Sequence, residues 1–169
     1  MVQKCSLIRT LEIFFIEPTT IHFIKEISRK IKLAPTSIRN NIKELLKNDL
    51  IKIKKTKPFN GFIANRESNS FIFYKRIYNL YSLKNLIDFL VESYYPKLVV
   101  VYGSYSLGED LESSDIDIII IKSNNEIKLG NFEKKLKRKI QIISINDLNE
   151  LDINLKKKVL NGIVLYGGF

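Results

Sequence analysis

The sequence predicts an α+β protein in two parts: three short helices with a β-hairpin, then a small mixed sheet with flanking helices. Three observations lead there. Apolar residues recur every three or four positions through residues 6–47, every second position at Ile51 and Ile53, and every three or four again from residue 83. Two short apolar runs rich in β-branched residues, 98–101 and 118–121, read as buried strands. Charge is divided: residues 1–80 hold 16 Lys+Arg against 6 Asp+Glu, residues 81–169 hold 12 against 12, so the whole excess of +10 belongs to the first half. A basic segment beside a neutral one points to a polyanion-facing module joined to a module with another task.

At 169 residues and 19.7 kDa the chain is long enough for two small cores. Apolar residues make up 45% and charged residues 27%, which excludes global disorder. A single cysteine, Cys5, excludes a disulfide framework, and with a single histidine, His22, it excludes a Cys/His zinc cluster. His22 is expected as a packed or solvated residue on an apolar helix rather than a ligand, and Cys5 as an inert small side chain. No apolar run approaches the length that spans a bilayer, so no membrane partner is expected and the expected location is cytoplasmic.

Residues 6–16 are mostly apolar and form a helix that stops before Pro18. Thr19-Thr20 is placed to cap a second helix, in which Ile21, Ile24, Ile27 and Ile31 recur at helical spacing. Pro35-Thr36-Ser37 opens a third, because proline is tolerated in a first turn. Ile38, Ile42, Leu45 and Leu46 fall on one face of it, and Arg39, Asn40, Lys43 and Lys47 on the other. Beyond Asp49-Leu50, Ile51 and Ile53 alternate with Lys52 and Lys54 as in a strand. Pro58-Phe59-Asn60-Gly61 turns the chain and Phe62-Ile63-Ala64 returns.

Three helices followed by a basic hairpin is an order that resembles the winged helix-turn-helix family over residues 1–65. In that plan the third helix enters a major groove and the hairpin lies along the backbone. The resemblance implies DNA or RNA as a partner, with Arg39, Asn40 and Lys43 in the groove and Lys52, Lys54, Lys55 and Lys57 on phosphates.

Residues 65–94 are predicted helical, residues 66–84 serving as a connector. Phe71, Phe73, Tyr74, Ile77, Tyr78 and Tyr81 repeat at helical spacing, a stripe expected as core packing the two halves together rather than as a base-stacking platform. Ser82 is placed to cap a helix from Leu83 to about Tyr94, with Leu86, Ile87, Leu90 and Val91 inward, and Pro96 ends it.

The chemistry is concentrated in residues 97–121. A buried strand runs straight into Gly103-Ser104, where exposed backbone N–H groups and a hydroxyl would seat phosphates. After ten more residues, Asp115 and Asp117 stand two apart at the head of the next apolar run, so both carboxylates face one side of a strand. Two acids that close call for a cation, and Mg²⁺ with oxygen ligands meets that need. Metal plus polyphosphate is the equipment of phosphoryl or nucleotidyl transfer.

Gly103-Ser104, the ten-residue spacer and Asp115-x-Asp117, with Gly108, Ser114 and both apolar flanks, resemble the signature of the DNA polymerase beta-type nucleotidyltransferase superfamily. The likeness covers residues 85–169, is nearest to minimal nucleotidyltransferases, and includes the closing run Asn161 to Gly167 as a last strand. It implies an α+β nucleotidyltransferase domain that binds an NTP, ATP among them. Gly103 and Ser104 would hold the β- and γ-phosphates, and Asp115 and Asp117 would hold Mg²⁺ and serve as the catalytic pair. It also implies an antitoxin-like role, with a HEPN-domain toxin as a protein acceptor, beside an RNA acceptor. Two positions depart from the family pattern. Leu107 stands where an arginine is usual, and Gln141 where the next strand carries a third carboxylate; an amide cannot act as a base. Asp147 and Glu150 are the nearby acids in sequence that could take over. Three functions therefore stay open: an enzyme, a DNA-binding regulator that binds NTP without efficient turnover, and a purely structural partner-binding protein.

Overall fold

The computed structural model describes residues 5–121, 127–129 and 131–168. The chain divides into two compact units, residues 1–78 and 79–169.

In the first unit, α1 (Ser6–Ile16) buries Leu11, Ile13, Phe14 and Phe15. α2 (Ile24–Ile31) and α3 (Pro35–Lys47) close over it with Ile27, Ile38, Ile42 and Leu45. Burial of each of these large aliphatic side chains is worth about 1.5–3 kcal/mol. Asn41 donates to the Thr10 hydroxyl at 2.9 Å, joining α3 to α1. β1 (Ile51–Lys54) and β2 (Gly61–Ala64) pair antiparallel from Ile51↔Ala64 to Lys54↔Gly61.

The second helix begins later than its isoleucine spacing predicts. His22 pairs with Phe62 by two backbone hydrogen bonds of 2.8 Å, adding a bridge to the hairpin. That bridge holds His22 extended, so α2 starts at Ile24, and Glu26 rather than Thr19 or Thr20 accepts the exposed Phe23 N–H. Gly61 makes the approach possible, since a Cβ there would fall 2.2 Å from an Ile21 methyl. Of the two states expected for His22 it takes the packed one, edge-on to Phe14, but on an extended segment and not on a helix.

α4 (Asn69–Ser82) runs across the division at Tyr78, and α5 (Lys84–Tyr94) follows after Leu83. Ser82 closes α4 instead of capping α5: its hydroxyl donates to Asn79 O at 2.6 Å. The aromatic stripe divides as well. Phe71 is buried and Tyr78 packs on the first core, whereas Phe73, Tyr74, Ile77 and Tyr81 are exposed, Tyr81 to 66%. The core expected of the whole stripe is therefore formed by its two inward residues.

The second unit is a four-stranded mixed sheet in the order β5-β4-β3-β6. β3 (Leu98–Tyr102) is antiparallel to β4 (Ile116–Ile121) and to β6 (Ile163–Gly167), while β4 and β5 (Ile140–Ile145) are parallel. Alternation sorts the side chains. Val99, Val101, Ile116, Ile118 and Ile120 pack with Leu86 and Leu90 of α5 on one face. Leu98, Val100, Tyr102 and Ile119 pack with Val159 of the helix Ile153–Leu160 on the other. β3 and the middle of β4 are buried on both faces, which is why their sequences are continuously apolar.

Candidate active site

The turn after β3 has no room for a side chain. Gly103 sits at φ +71°, and a Cβ there would lie 2.7 Å from an Asp117 carboxylate oxygen. From it the chain enters α6 (Gly103–Leu107), whose first turn is tightened by the Ser106 hydroxyl donating to Gly103 O at 2.8 Å. Gly108, at φ +74°, ends that helix beside an exposed Leu107.

Asp117 lies on β4, the registered partner of Tyr102 on β3 and of Gln141 on β5. Asp115 stands just before β4, and the Gln141 amide donates to its carboxylate at 2.6 Å. Gly103, Asp115, Asp117 and Gln141 therefore converge at one end of the sheet, with Ser104 next in α6. Burial raises the Asp117 carboxyl above the usual aspartate range, the Asp115 charge raises it further, and Lys158 of the helix Ile153–Leu160 opposes both. The Tyr102 phenol is pushed up by burial and by the Asp117 charge. A pair of acids in this condition suits a cation. Its donor set, two carboxylates, is what Mg²⁺ takes when substrate phosphates and water complete the shell. Among the described residues no group of three or more His, Cys, Asp or Glu could hold a metal, so no protein-only cage is found there.

The ten-residue spacer is held by a buried polar network that the sequence does not announce. Asp110, 1% exposed, accepts from Asn79 at 2.7 Å, and the Arg138 guanidinium lies 3.6 Å away. Asn79 also donates to Tyr105 O at 2.9 Å, and the Tyr105 hydroxyl meets Ser82 at 2.8 Å. Ser114 accepts the Leu111 N–H at 2.9 Å. These bonds fix the path from Gly103 to Asp115. An acid between Glu109 and Leu111 in a loop reads as solvated, and only the fold shows Asp110 to be buried.

The two acids expected to take over lie elsewhere. Asp147 and Glu150 cap the short 3₁₀ turn after β5, Glu150 accepting from the N–H groups of Asn146 and Asp147. Because β4 and β5 are parallel with Asp117 opposite Gln141, that turn lies at the far end of the sheet, about 20 Å along the strand. Neither residue takes the place of the third carboxylate. In the first unit Arg39, Asn40 and Lys43 are exposed on α3, and Lys54, Lys55 and Lys57 are exposed on and after β1. Lys52 is exposed too, but paired with Glu67.

The family model described as "Polymerase beta, Nucleotidyltransferase" matches residues 84–168, half of the chain. The chain belongs to this nucleotidyltransferase family. The matched segment takes in the Gly103 turn, both aspartates, Gln141 and all four strands of the mixed sheet. No curated protein and no solved structure matches the chain. The nucleotidyltransferase domain implies an NTP substrate, and no described helix is long and apolar enough to cross a membrane.

Proposed function

We propose that the chain transfers a nucleoside monophosphate from an NTP, with ATP as the first candidate, to a hydroxyl on a protein or RNA acceptor. The observation that supports this reading is the close approach of the Gly103 turn to Asp117, the second acid of the pair. Gly103 and Ser104 hold the β- and γ-phosphates through N–H groups and a hydroxyl. Asp115 and Asp117 hold Mg²⁺, which when bound neutralises the triphosphate and acidifies the attacking hydroxyl. That oxygen attacks the α-phosphorus in line, and pyrophosphate leaves. Gln141 orients Asp115 through its amide and takes no proton from the acceptor.

Residues 1–65 form a winged helix-turn-helix in this reading. Arg39, Asn40 and Lys43 face a groove, and Lys52, Lys54, Lys55 and Lys57 face phosphates of DNA or RNA. The order of helices and hairpin, with these side chains exposed, supports it. Likeness to minimal nucleotidyltransferases supports an antitoxin-like role in the cytoplasm, with a HEPN-domain toxin as protein acceptor. One observation favours a second reading, a regulator that binds NTP without efficient turnover: position 141 offers an amide where a base is needed.

Calorimetric titration of ATP, GTP, CTP and UTP, with and without Mg²⁺, tests the site. Mg²⁺-dependent binding that vanishes in Asp117→Asn is expected. Equal binding by that variant, or no binding of any NTP, would overturn the nucleotidyl-transfer reading. Transfer from an α-labelled NTP then separates enzyme from regulator.

A further inference from the structure

The helix Ile153–Leu160 carries Lys156, Lys157 and Lys158 in a row, and the fold treats them differently. Lys156 donates to Asn149 at 2.7 Å. The side chains of Lys157 and Lys158 are exposed and make no hydrogen bond or ion pair among the described residues. Of the described cations, Lys158 alone acts on Asp117. Its place follows from the sheet. Tyr102, Asp117 and Gln141 stand in register across β3, β4 and β5, so they share one face at the site end. On that same face Val159, the residue next to Lys158, packs with Val100 and Tyr102. The helix follows the 3₁₀ turn at the far end of the sheet and leads into Gly162, where a Cβ would fall 2.6 Å from Val101 O. Its last turn is thereby pinned beside β3, the strand that runs into Gly103. Lys158 and the Gly103 turn therefore reach the acid pair from the β3 side, and Gln141 from the β5 side. The ammonium is near enough to act on Asp117 and too far to pair with it. With a divalent cation on the acids, two positive charges would face each other across that gap unless a polyanion filled it.

We infer that Lys158 is a catalytic residue that holds the β- and γ-phosphates of the bound NTP and, as transfer proceeds, the leaving pyrophosphate. The inference rests on the proposed nucleotidyl transfer. In-line displacement brings the acceptor oxygen in opposite the leaving group. A neutral acceptor hydroxyl gains little from an ammonium, whereas the phosphates at the Gly103 turn gain a charged donor. Lys158 therefore serves the phosphate end. In the step, the acceptor oxygen bonds to the α-phosphorus, and the bond from that phosphorus to the bridging oxygen breaks. Pyrophosphate leaves with the bridging oxygen and the electron pair, and the hydroxyl proton passes to solvent. The ammonium keeps its protons and meets the charge that gathers on the leaving group.

The test compares the full chain with its Lys158→Ala, Lys158→Arg and Lys157→Ala variants by calorimetry, with Mg²⁺–ATP and Mg²⁺–pyrophosphate as probes. Lys158→Ala is expected to bind both about tenfold more weakly, the scale of one hydrogen bond to a charged group. Lys158→Arg should recover most of that loss, and Lys157→Ala should bind as the wild type does. Thermal melts without ligand should coincide, since an exposed lysine outside any pair holds nothing in the fold. Unchanged affinity in Lys158→Ala would overturn the inference. So would an equal loss in Lys157→Ala, which marks general attraction by the helix, or a loss that arginine does not repair, which marks packing. A loss on ATP with none on pyrophosphate would overturn it too, by placing Lys158 at the nucleoside. In each of these the wild type still binds ATP and the transfer reading stands, whereas a wild type that binds no NTP overturns that reading itself.

Discussion

A Cβ at position 103 would stand 2.7 Å from an Asp117 oxygen on a backbone held at φ +71°. Gly103→Ala is therefore expected to cost about 1–2 kcal/mol of stability from the backbone alone and to abolish Mg²⁺–ATP binding, checked by thermal melts and calorimetry. Gln141 has the opposite expectation. Gln141→Glu places a carboxylate beside Asp117 in the register, and label transfer should rise, on the usual scale of about 10²–10⁴ for a general base. An unchanged rate would show that position 141 does not meet the acceptor hydroxyl. Tyr105 supplies a pH test. Burial, helped by the Asp110 charge, pushes its phenol up to about 12 from the ordinary 10, against the Ser82 hydrogen bond and the Arg138 charge. A group whose folded value is raised contributes stability that is full below the unfolded value and lost as pH rises through the folded one. Stability should accordingly fall by about 2–3 kcal/mol between pH 10 and pH 12, and Tyr105→Phe should flatten that part of the profile.

At the scale of elements, strands were the easier part to read. β3 and β4 are legible because burial on both faces leaves only apolar residues, and the Gly103 turn because glycine follows a strand at once. The start of α2 was not legible: His22 is held extended by Phe62, forty residues on, and a capping pattern cannot see a distant strand. Ser82 is ambiguous for a related reason, since a serine between two helices suits either the end of one or the start of the next. The hairpin carries its own prediction. Lys52 is committed to Glu67, an exposed pair of small worth, while Lys54, Lys55 and Lys57 project freely. Replacing those three by alanine should make the salt slope of duplex DNA binding shallower by about 3, measured by fluorescence anisotropy. An unchanged slope would remove the hairpin from the proposed winged-helix interface.

On the scale of the whole molecule, each unit holds its own core, one built on Phe14, Ile27 and Phe71, the other on the two faces of the mixed sheet. Calorimetric unfolding is expected in two transitions, with saturating Mg²⁺–ATP moving only the one that belongs to residues 79–169. At a hundred times the dissociation constant the stabilisation is about 2.7 kcal/mol, or roughly 14 °C, and Asp117→Asn should abolish it. The division into a basic and a neutral half was readable from charge alone, and the acid pair from its spacing. What stayed hidden was the support: Asn79, Asp110 and Arg138 come from three separate segments, and only folding shows that they meet. The register that sets Gln141 beside Asp117 also fixes how far this molecule stands from a three-carboxylate version of itself. Glutamine and glutamate codons differ only in their first base, so a single transversion spans that gap. A mutagenised population under selection for transfer should acquire Gln141→Glu sooner than any change that requires two bases.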